Sequence, residues 1–339
     1  MHGHKRIRRK RIRISNTLAI LLVTLAMLAA FAVIGESTGN NFVSLGNFKT
    51  LLRSMVISGV IALGLTPLMI ARGLDLSFGS SLSFSSVITA LLYTNMGVSL
   101  WIALVVAVLV CVLVGIVNGV FIVKLKLIPL LFTLGMLFIL RSLALYAATI
   151  GEEGAVGQGS QGFMILVMSD ELYGFYTGSF LLVPLMFWVL VVLVVVYWLT
   201  MDYTKLGAWI KAIGGNPEIA TIFGIRTDRI LMLLYASAGF LTGIATIMMV
   251  SASGVGSPFF GDTMPLRTLS AVLIGGVALT GGSGNVFGTV LGTVAITVLY
   301  NGLATMNVGS NYILVIQGLM LVVIVAAYAW RDRRQVASD

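Results

Sequence analysis

Apolar residues in this chain come in long unbroken blocks. From Thr268 to Trp330, 63 residues pass without one Asp, Glu, Lys or Arg. Further uncharged runs cover Ile14–Gly35, Ser54–Ala71, Leu76–Val123, Leu172–Met201 and Ile230–Gly261. A charge at the centre of a bilayer costs about 2.5–3.5 kcal/mol on insertion scales, so such runs are what a membrane demands. At about 20 residues per span, the blocks predict helices near 15–34, 51–71, 75–94, 100–123, 128–149, 180–200, 230–252, 267–281 (short), 285–304 and 311–330. A transmembrane barrel would alternate in segments of about 10 residues. Trp101–Val123 and Leu181–Leu199 do not alternate. The expected fold is all-α: a polytopic helical bundle of about ten spans.

Two places interrupt the helical pattern. One is Ala71-Arg72-Gly73-Leu74-Asp75-Leu76-Ser77; the other runs from Gly275-Gly276 to Gly281-Gly282-Ser283-Gly284-Asn285. Each falls in a different half of the chain. Gly-interrupted apolar segments in matching halves point to an inverted repeat with a pathway between the halves. Close packing of membrane helices also favours glycine, and the sequence does not choose between the two.

Charge placement orients the chain. The net charge is +9, with only 10% charged residues. Seven of the 21 Lys and Arg lie in the first 13 residues, directly before the first apolar block, and Arg331, Arg333 and Arg334 follow the last. Basic residues flank cytoplasmic span ends. Ten spans with both termini cytoplasmic place 17 of the 21 basic residues inside and the acidic stretch 151–178 outside. The expected organisation is a basic tail (1–14), a transmembrane domain (15–330) with a cytoplasmic loop (201–229), and a short tail (331–339). This placement argues against nucleic acid as a partner. The first block resembles a secretory signal, but its 22 uncharged residues exceed the 7–15 of a cleaved core. It reads as an uncleaved helix in a multi-pass protein of the cytoplasmic (inner) membrane.

Little in the chain suggests covalent chemistry. Cys111 is a lone cysteine in an apolar block, and the two histidines, His2 and His4, lie at the extreme N-terminus. No metal site, cofactor or catalytic set is expected. There is no Gly-Lys pair, hence no phosphate-binding loop for ATP. Acids within the apolar blocks are too few for a proton relay. An energy source, if transport is active, belongs to another subunit.

Three segments stand out. In the loop GAWIKAIGGNPEIATIFGIRTDR (207–229), Asn216 suits an N-cap and Pro217 and Glu218 the first turn of a short helix. Ile219, Ile222 and Phe223 then share one face exposed to the cytosol. That face needs a cover, either lipid surface or protein. In GLDLSFGSSLSFSS (73–86), Asp75 can cap a helix starting at Leu76, with Arg72 near enough to neutralise it; a carboxylate at a membrane edge is also a functional candidate. Asn118 and Arg141 are polar groups inside apolar helices, and Arg141 either snorkels or pairs. Asp75, Ser77, Asn118 and Ser283 are the candidates for a translocation pathway.

Four stretches carry a resemblance: GLDLSFGS (73–80), VGIVNGVFIVKLKLIPLLFTLGMLFILRSLALY (114–146), AIGGNPEIATIFGIRTDRI (212–230) and AVLIGGVALTGGSGNVFGTVLG (271–292). In order and spacing the chain resembles the permease subunits of sugar ABC importers of the ribose/xylose/arabinose type, a family that includes autoinducer permeases. The resemblance implies a conduit switched by a cytoplasmic ABC ATPase subunit. It also implies a second permease (a homodimer or a paralogue) and an extracytoplasmic solute-binding protein. The segment around 212–229 resembles the coupling helix that seats in the ATPase, so Gly214, Gly215, Asn216, Pro217, Glu218, Ile219, Ile222, Phe223 and Gly224 are expected to couple the two subunits. The segments 35–50 and 151–178 are expected to receive the binding protein, with Glu152 and Glu153 as contacts. One departure is Arg267, in Pro265-Leu266-Arg267-Thr268-Leu269-Ser270, where such permeases often carry an acid. Permeases for branched-chain amino acids or nucleosides, and a self-sufficient carrier or channel, are the competing readings.

Overall fold

A computed structural model describes residues 16–37, 39–40, 42–150, 155–156 and 164–336. The basic tail, Glu152 and Glu153 lie outside the described residues. Each apolar block becomes a helix: α1 (Asn16–Ser37), α2 (Leu45–Ile70), α3 (Phe78–Ala90), α4 (Leu100–Lys124), α5 (Pro129–Ile150), α7 (Leu185–Tyr203), α10 (Thr227–Ser253), α11 (Met264–Ile274), α12 (Val286–Thr305) and α13 (Ser310–Val336). Among the described residues seven of these, α1, α2, α4, α5, α7, α10 and α12, are long and apolar enough to cross a membrane. The shorter α3 and α11, with α13, supply the remaining three expected segments.

The boundaries move for local reasons. α2 starts six residues before the expected 51 because Ser44 caps it, its Oγ accepting from Asn47 N–H at 3.1 Å. α3 gives way at Leu91–Asn95 to one turn of π-helix. α11 stops at Ile274, where Gly275 and then Gly276, at φ +87°, turn the chain. The loop 201–229 holds two helices, α8 (Lys205–Gly215) and α9 (Pro217–Ile222). Between α5 and α7 lies α6 (Asp170–Thr177), flanked by two small sheets, the only ones among the described residues: β1 (Ala155–Val156), β2 (Met164–Leu166) and β5 (Val255–Gly256) pair antiparallel, and β3 (Ser179–Phe180) forms a hairpin with β4 (Val183–Pro184).

α2 is the centre of the bundle. Every residue from Met55 to Ile70 is buried, as expected of a helix that is apolar on all sides. α4 and α10 form the closest helix pair. Gly115 and Gly119 on α4 approach α10 at Tyr235, while Gly239 and Gly243 on α10 approach α4 at Cys111 and Val108. These reciprocal small-xxx-small seams let two backbones meet where no hydrophobic force drives membrane helices together.

The packing network carries an internal symmetry. α3 packs on α4, α5 and α10; α11 packs on α12, α13 and α2. Likewise α4 packs on α10, α12 packs on α2, and α2 and α10 pack on each other. Exchanging α2–α5 with α10–α13 therefore maps the network onto itself. Four crossings separate α2 from α10, made by α4, α5, α7 and the 71–90 segment that includes the short α3, so the two sets start from opposite sides: an inverted repeat. The equivalence corrects the pairing of breaks expected from glycine content. The partner of 71–77 is not 275–285 but 254–263, since each joins a long helix to a short one.

Both joining segments run back into the bundle, and the serines of α3 explain how the second does so. Non-helical backbone at membrane depth must be satisfied by protein. Ser257 N–H donates to Ser86 Oγ (3.2 Å) and Gly261 N–H to Ser83 Oγ (2.8 Å), so the segment descends along α3 one hydrogen bond at a time. It ends where a Cβ on Gly79 would stand 2.6 Å from Gly261 O.

Candidate functional site

At one end of the bundle α8 and α9 are held against the end of α2. Asn216 Oδ1 accepts from Glu218 N–H (2.9 Å) and Ile219 N–H (3.1 Å), and Pro217 occupies the first turn of α9. Gly224, at φ +80°, ends the helix, with Ile225 N–H returning to Ala220 O at 3.1 Å. The left-handed glycine and the return bond form a Schellman stop. Between cap and stop, Ile219, Ile222 and Phe223 are 50%, 82% and 80% exposed. Glu218 and Gly215 are also exposed, while Gly214 is buried.

The burial of Gly214 shows how the segment is anchored. A Cβ there would overlap Ile70 O and Gly282 N, so only glycine lets α8 touch both. Gly282 N–H donates to Ile70 O at 2.8 Å. Arg72 reaches across, Nε donating to Gly214 O (2.7 Å) and Nη2 to Gly215 O (2.6 Å). These carbonyls close the C-terminal end of α8, where a cation is favoured. Arg72 holds φ +66° to do this. It does not neutralise Asp75, as its sequence position suggested. The two glycine breaks, far apart in sequence, thus meet beneath α8.

Asp75, Ser77 and Asn118 form one cluster. Asp75 Oδ1 accepts from Ser77 N–H and Ser77 Oγ–H, both at 2.7 Å. Asn118 Nδ2 donates to Asp75 Oδ2 (3.1 Å) and Ser77 Oγ (2.8 Å). Tyr235 Oη donates to Leu74 O at 3.2 Å, closing the cluster from α10. Asp75 is 4% exposed, Ser77 and Asn118 not at all. Within this protomer the cluster is sealed, and it fastens the 71–77 segment to α4. Asp75 serves the turn two residues ahead, not a helix starting at Leu76: α3 begins at Phe78. Ser283 stands apart, exposed on the turn under α8, its carbonyl accepting from Ala278 N–H at 3.0 Å.

At the opposite end, α6 is capped by Ser169, whose Oγ accepts from Leu172 N–H at 3.4 Å. The Ser169 hydroxyl also donates to Glu171 and holds that carboxyl below its ordinary range. Asp170, Glu171, Tyr93, Tyr173 and Tyr176 line an open cavity of about 590 Å³ between α6 and the end of α10. Arg141, left open by the sequence, pairs with Asp262 at 2.9 Å. Arg267 lies over the Tyr300 ring, 4.7 Å from its centroid. Sequence reasoning missed three contributors: Arg72 as the clasp of α8, Ser83 and Ser86 as supports of a descending backbone, and Asp262. The serine run was a visible signal; the others depend on tertiary placement.

Comparison with known proteins agrees with this architecture. The family described as "Branched-chain amino acid transport system / permease component" matches residues 47–325. The ribose import permease protein of Bacillus subtilis (strain 168) is 34% identical over 279 residues, 82% of this chain and 83% of the relative. The fructose import permease protein of Rhizobium meliloti is 28% identical over 93% of this chain and 86% of its own. The autoinducer 2 import system permease protein of Escherichia coli (strain SMS-3-5 / SECEC) is 27% identical over 96% and 95%. No solved structure matches the chain. With seven apolar helices of membrane length among the described residues, an inverted repeat and near full-length similarity to import permeases, the chain belongs to the permease-component family of ABC importers and is a multi-pass protein of the cell membrane.

Proposed function

We propose that this permease carries a sugar, or a small solute like one, delivered by an extracytoplasmic binding protein and driven by a separate cytoplasmic ABC ATPase. Both chain termini and the α8–α9 segment face the cytosol in this reading, and a second permease, identical or paralogous, completes the conduit. The observation that carries it is the state of α9. A helix of six residues is capped at both ends, anchored through Gly214 and Arg72, and presents Ile219, Ile222 and Phe223 to solvent. Nothing in the fold needs those side chains outside. Burial of each would release about 1.5–3 kcal/mol, which is what a docking knob on an ATPase supplies. Nucleotide-driven closure of the ATPase pair would favour one arrangement of the bundles over the other, and that difference is the source of alternating access. The solute class rests on the relatives, whose names print ribose, fructose and autoinducer 2.

The test is reconstitution of the permease in lipid vesicles with its ATPase and binding protein. ATP-dependent uptake of ribose, absent when either partner is omitted, is the expected result. Uptake that persists without the ATPase would mean a self-sufficient carrier. A branched-chain amino acid is the second reading, favoured by the family description; an arm with leucine and a leucine-binding protein separates the two.

A further inference from the structure

Arg141 and Asp262 form an ion pair whose side chains are 40% and 36% exposed. Arg141 lies twelve residues into α5, which begins at Pro129; at 1.5 Å per residue that is about 18 Å along the helix. The hydrocarbon core is about 30 Å thick, so the pair is near its middle. Asp262 gives the same depth independently. It follows Gly261, which meets α3 at Gly79, eleven residues short of the far end of α3 at Ala90, or about 16 Å below it. A charged pair half open at this depth is costly against acyl chains, which points to a wet space of which this chain contributes one side.

The rest of α5 agrees. Ser142, Tyr146 and Thr149 follow at i, i+4 and i+7, the spacing of one helix face. All three are exposed. They lead from the ion pair towards the end of α5 near the acidic 151–178 stretch. Tyr146 also lies in line with Ile139, Leu143 and Ile150, and on the other side of the ion pair Leu131 and Phe138 continue the line of Ser142 and Thr149 as exposed apolar side chains, so the exposed hydroxyls are confined to the half of α5 beyond Arg141.

We propose that Arg141, Asp262 and the Ser142–Tyr146–Thr149 face form half of a polyol-binding site at mid-membrane, completed by a second copy of this chain or its paralogue. The proposal rests on the importer reading for its ligand class. A fixed guanidinium donor and carboxylate acceptor 2.9 Å apart match adjacent hydroxyls of a sugar, and a tyrosine ring beside exposed hydroxyls suits its apolar face. The pathway then runs along α5 and the 254–263 segment, and the sealed Asp75 cluster is a structural support beside it.

The experiment is cysteine labelling in the assembled transporter in vesicles. The background is clean, since the one native cysteine, Cys111, is buried. The probe is a membrane-impermeant, positively charged methanethiosulfonate. Asp262→Cys and Ser142→Cys are expected to react at least about tenfold faster than Leu143→Cys; Asp262→Cys lowers ATP-driven ribose uptake about tenfold or more before any labelling, the loss of one charged hydrogen bond, whereas Ser142→Cys loses uptake only once labelled. If Asp262→Cys does not assemble, Ser142→Cys keeps the ion pair and carries the labelling alone. The exchange Arg141→Asp with Asp262→Arg separates contact from scaffold: it is expected to restore assembly and ATP hydrolysis but not uptake. Equal labelling at 142, 262 and 143, or full uptake in the exchanged variant, overturns the proposal. Labelling needs no sugar. Fast reaction at 142 and 262 with no sugar uptake by the unmodified transporter would refute the importer reading and the polyol assignment while leaving the wet face standing.

Discussion

Arg72→Gln is the sharpest test of how α2 holds the α8–α9 segment. The side chain gives two hydrogen bonds from a charged donor, at 2.7 Å to Gly214 O and 2.6 Å to Gly215 O. Such bonds contribute about 1.5–3 kcal/mol where protected. The Gly215 contact is open to solvent and counts for little, which leaves about 2 kcal/mol for the partly buried one. If that energy is what couples α8–α9 to α2, its loss lowers solute transported per ATP hydrolysed roughly thirtyfold. Arg72→Gly sharpens the test. Arg72 holds φ +66°, a conformation that costs about 1–2 kcal/mol for a residue with a Cβ. The glycine variant regains that energy yet still lacks the clasp. The expected order of melting temperatures is Arg72→Gly above Arg72→Gln, with coupling equally low in both. Uptake and hydrolysis measured on the same vesicles give the ratio. A wild-type ratio in either variant, or restored coupling in the glycine variant, refutes the clasp.

Three further outcomes follow from the same contacts. Gly214→Ala places a methyl against Ile70 O and Gly282 N, and should lower stability by about 1–3 kcal/mol, read as an earlier thermal transition and faster hydrogen exchange in α8–α9. Ile222→Ala with Phe223→Ala should leave melting within about 0.5 kcal/mol of wild type, because both side chains are exposed, yet abolish co-purification with the ATPase; retained binding would remove α9 from the interface. Ser83→Ala leaves Gly261 N–H without its 2.8 Å acceptor and should cost about 1–3 kcal/mol, whereas Ser81→Ala, whose Oγ only returns to Ser77 O in its own helix, should cost far less.

The helices were legible because a bilayer admits few other ways to hide a backbone, and every expected apolar block holds a helix. Asn216, Pro217 and the exposed triad of α9 were legible for a different reason: cap chemistry and i, i+3, i+4 spacing are local. What the sequence could not supply was position across the bundle. Asp75 and Arg72 are three residues apart and invited pairing, yet one faces α4 and the other α8. The turn between them, with Gly73 N–H bonded to Leu68 O at 2.8 Å, sends the two side chains to opposite destinations. The breaks were misassigned for a related reason. Glycine content marks where a chain turns, but not whether it turns at a surface or re-enters the bundle. The 254–263 segment also carries glycines (Gly254, Gly256 and Gly261), and what sets its re-entry apart is its backbone partners, serines on another helix.

That distinction bears on how a movement at one end reaches the other. Ile70 and Arg72 touch α8; three residues on, Asp75 is tied to Asn118 on α4; three more begin α3, whose first turn abuts Gly261 and, next to it, Asp262. Every link is a hydrogen bond or a contact between backbones, with no mobile apolar side chain between them, so the path from Gly214 to Asp262 is short and stiff. Contiguity alone does not make a switch. The inverted repeat supplies a basis for one: α2 and α10 pack on each other and each leads through a re-entrant segment to a short helix, so a shift of α2 against α10 moves α3 and α11 in opposite senses. Crosslinking α2 to α10 through cysteines at Gly64 and Ala238, where the backbones approach so that a Cβ on Gly64 would lie 3.0 Å from Ala238 Cα, should hold that shift at one setting. ATP hydrolysis would then continue while uptake stops, and reduction would restore it; uptake undiminished with the link in place would show that the two halves do not move against each other.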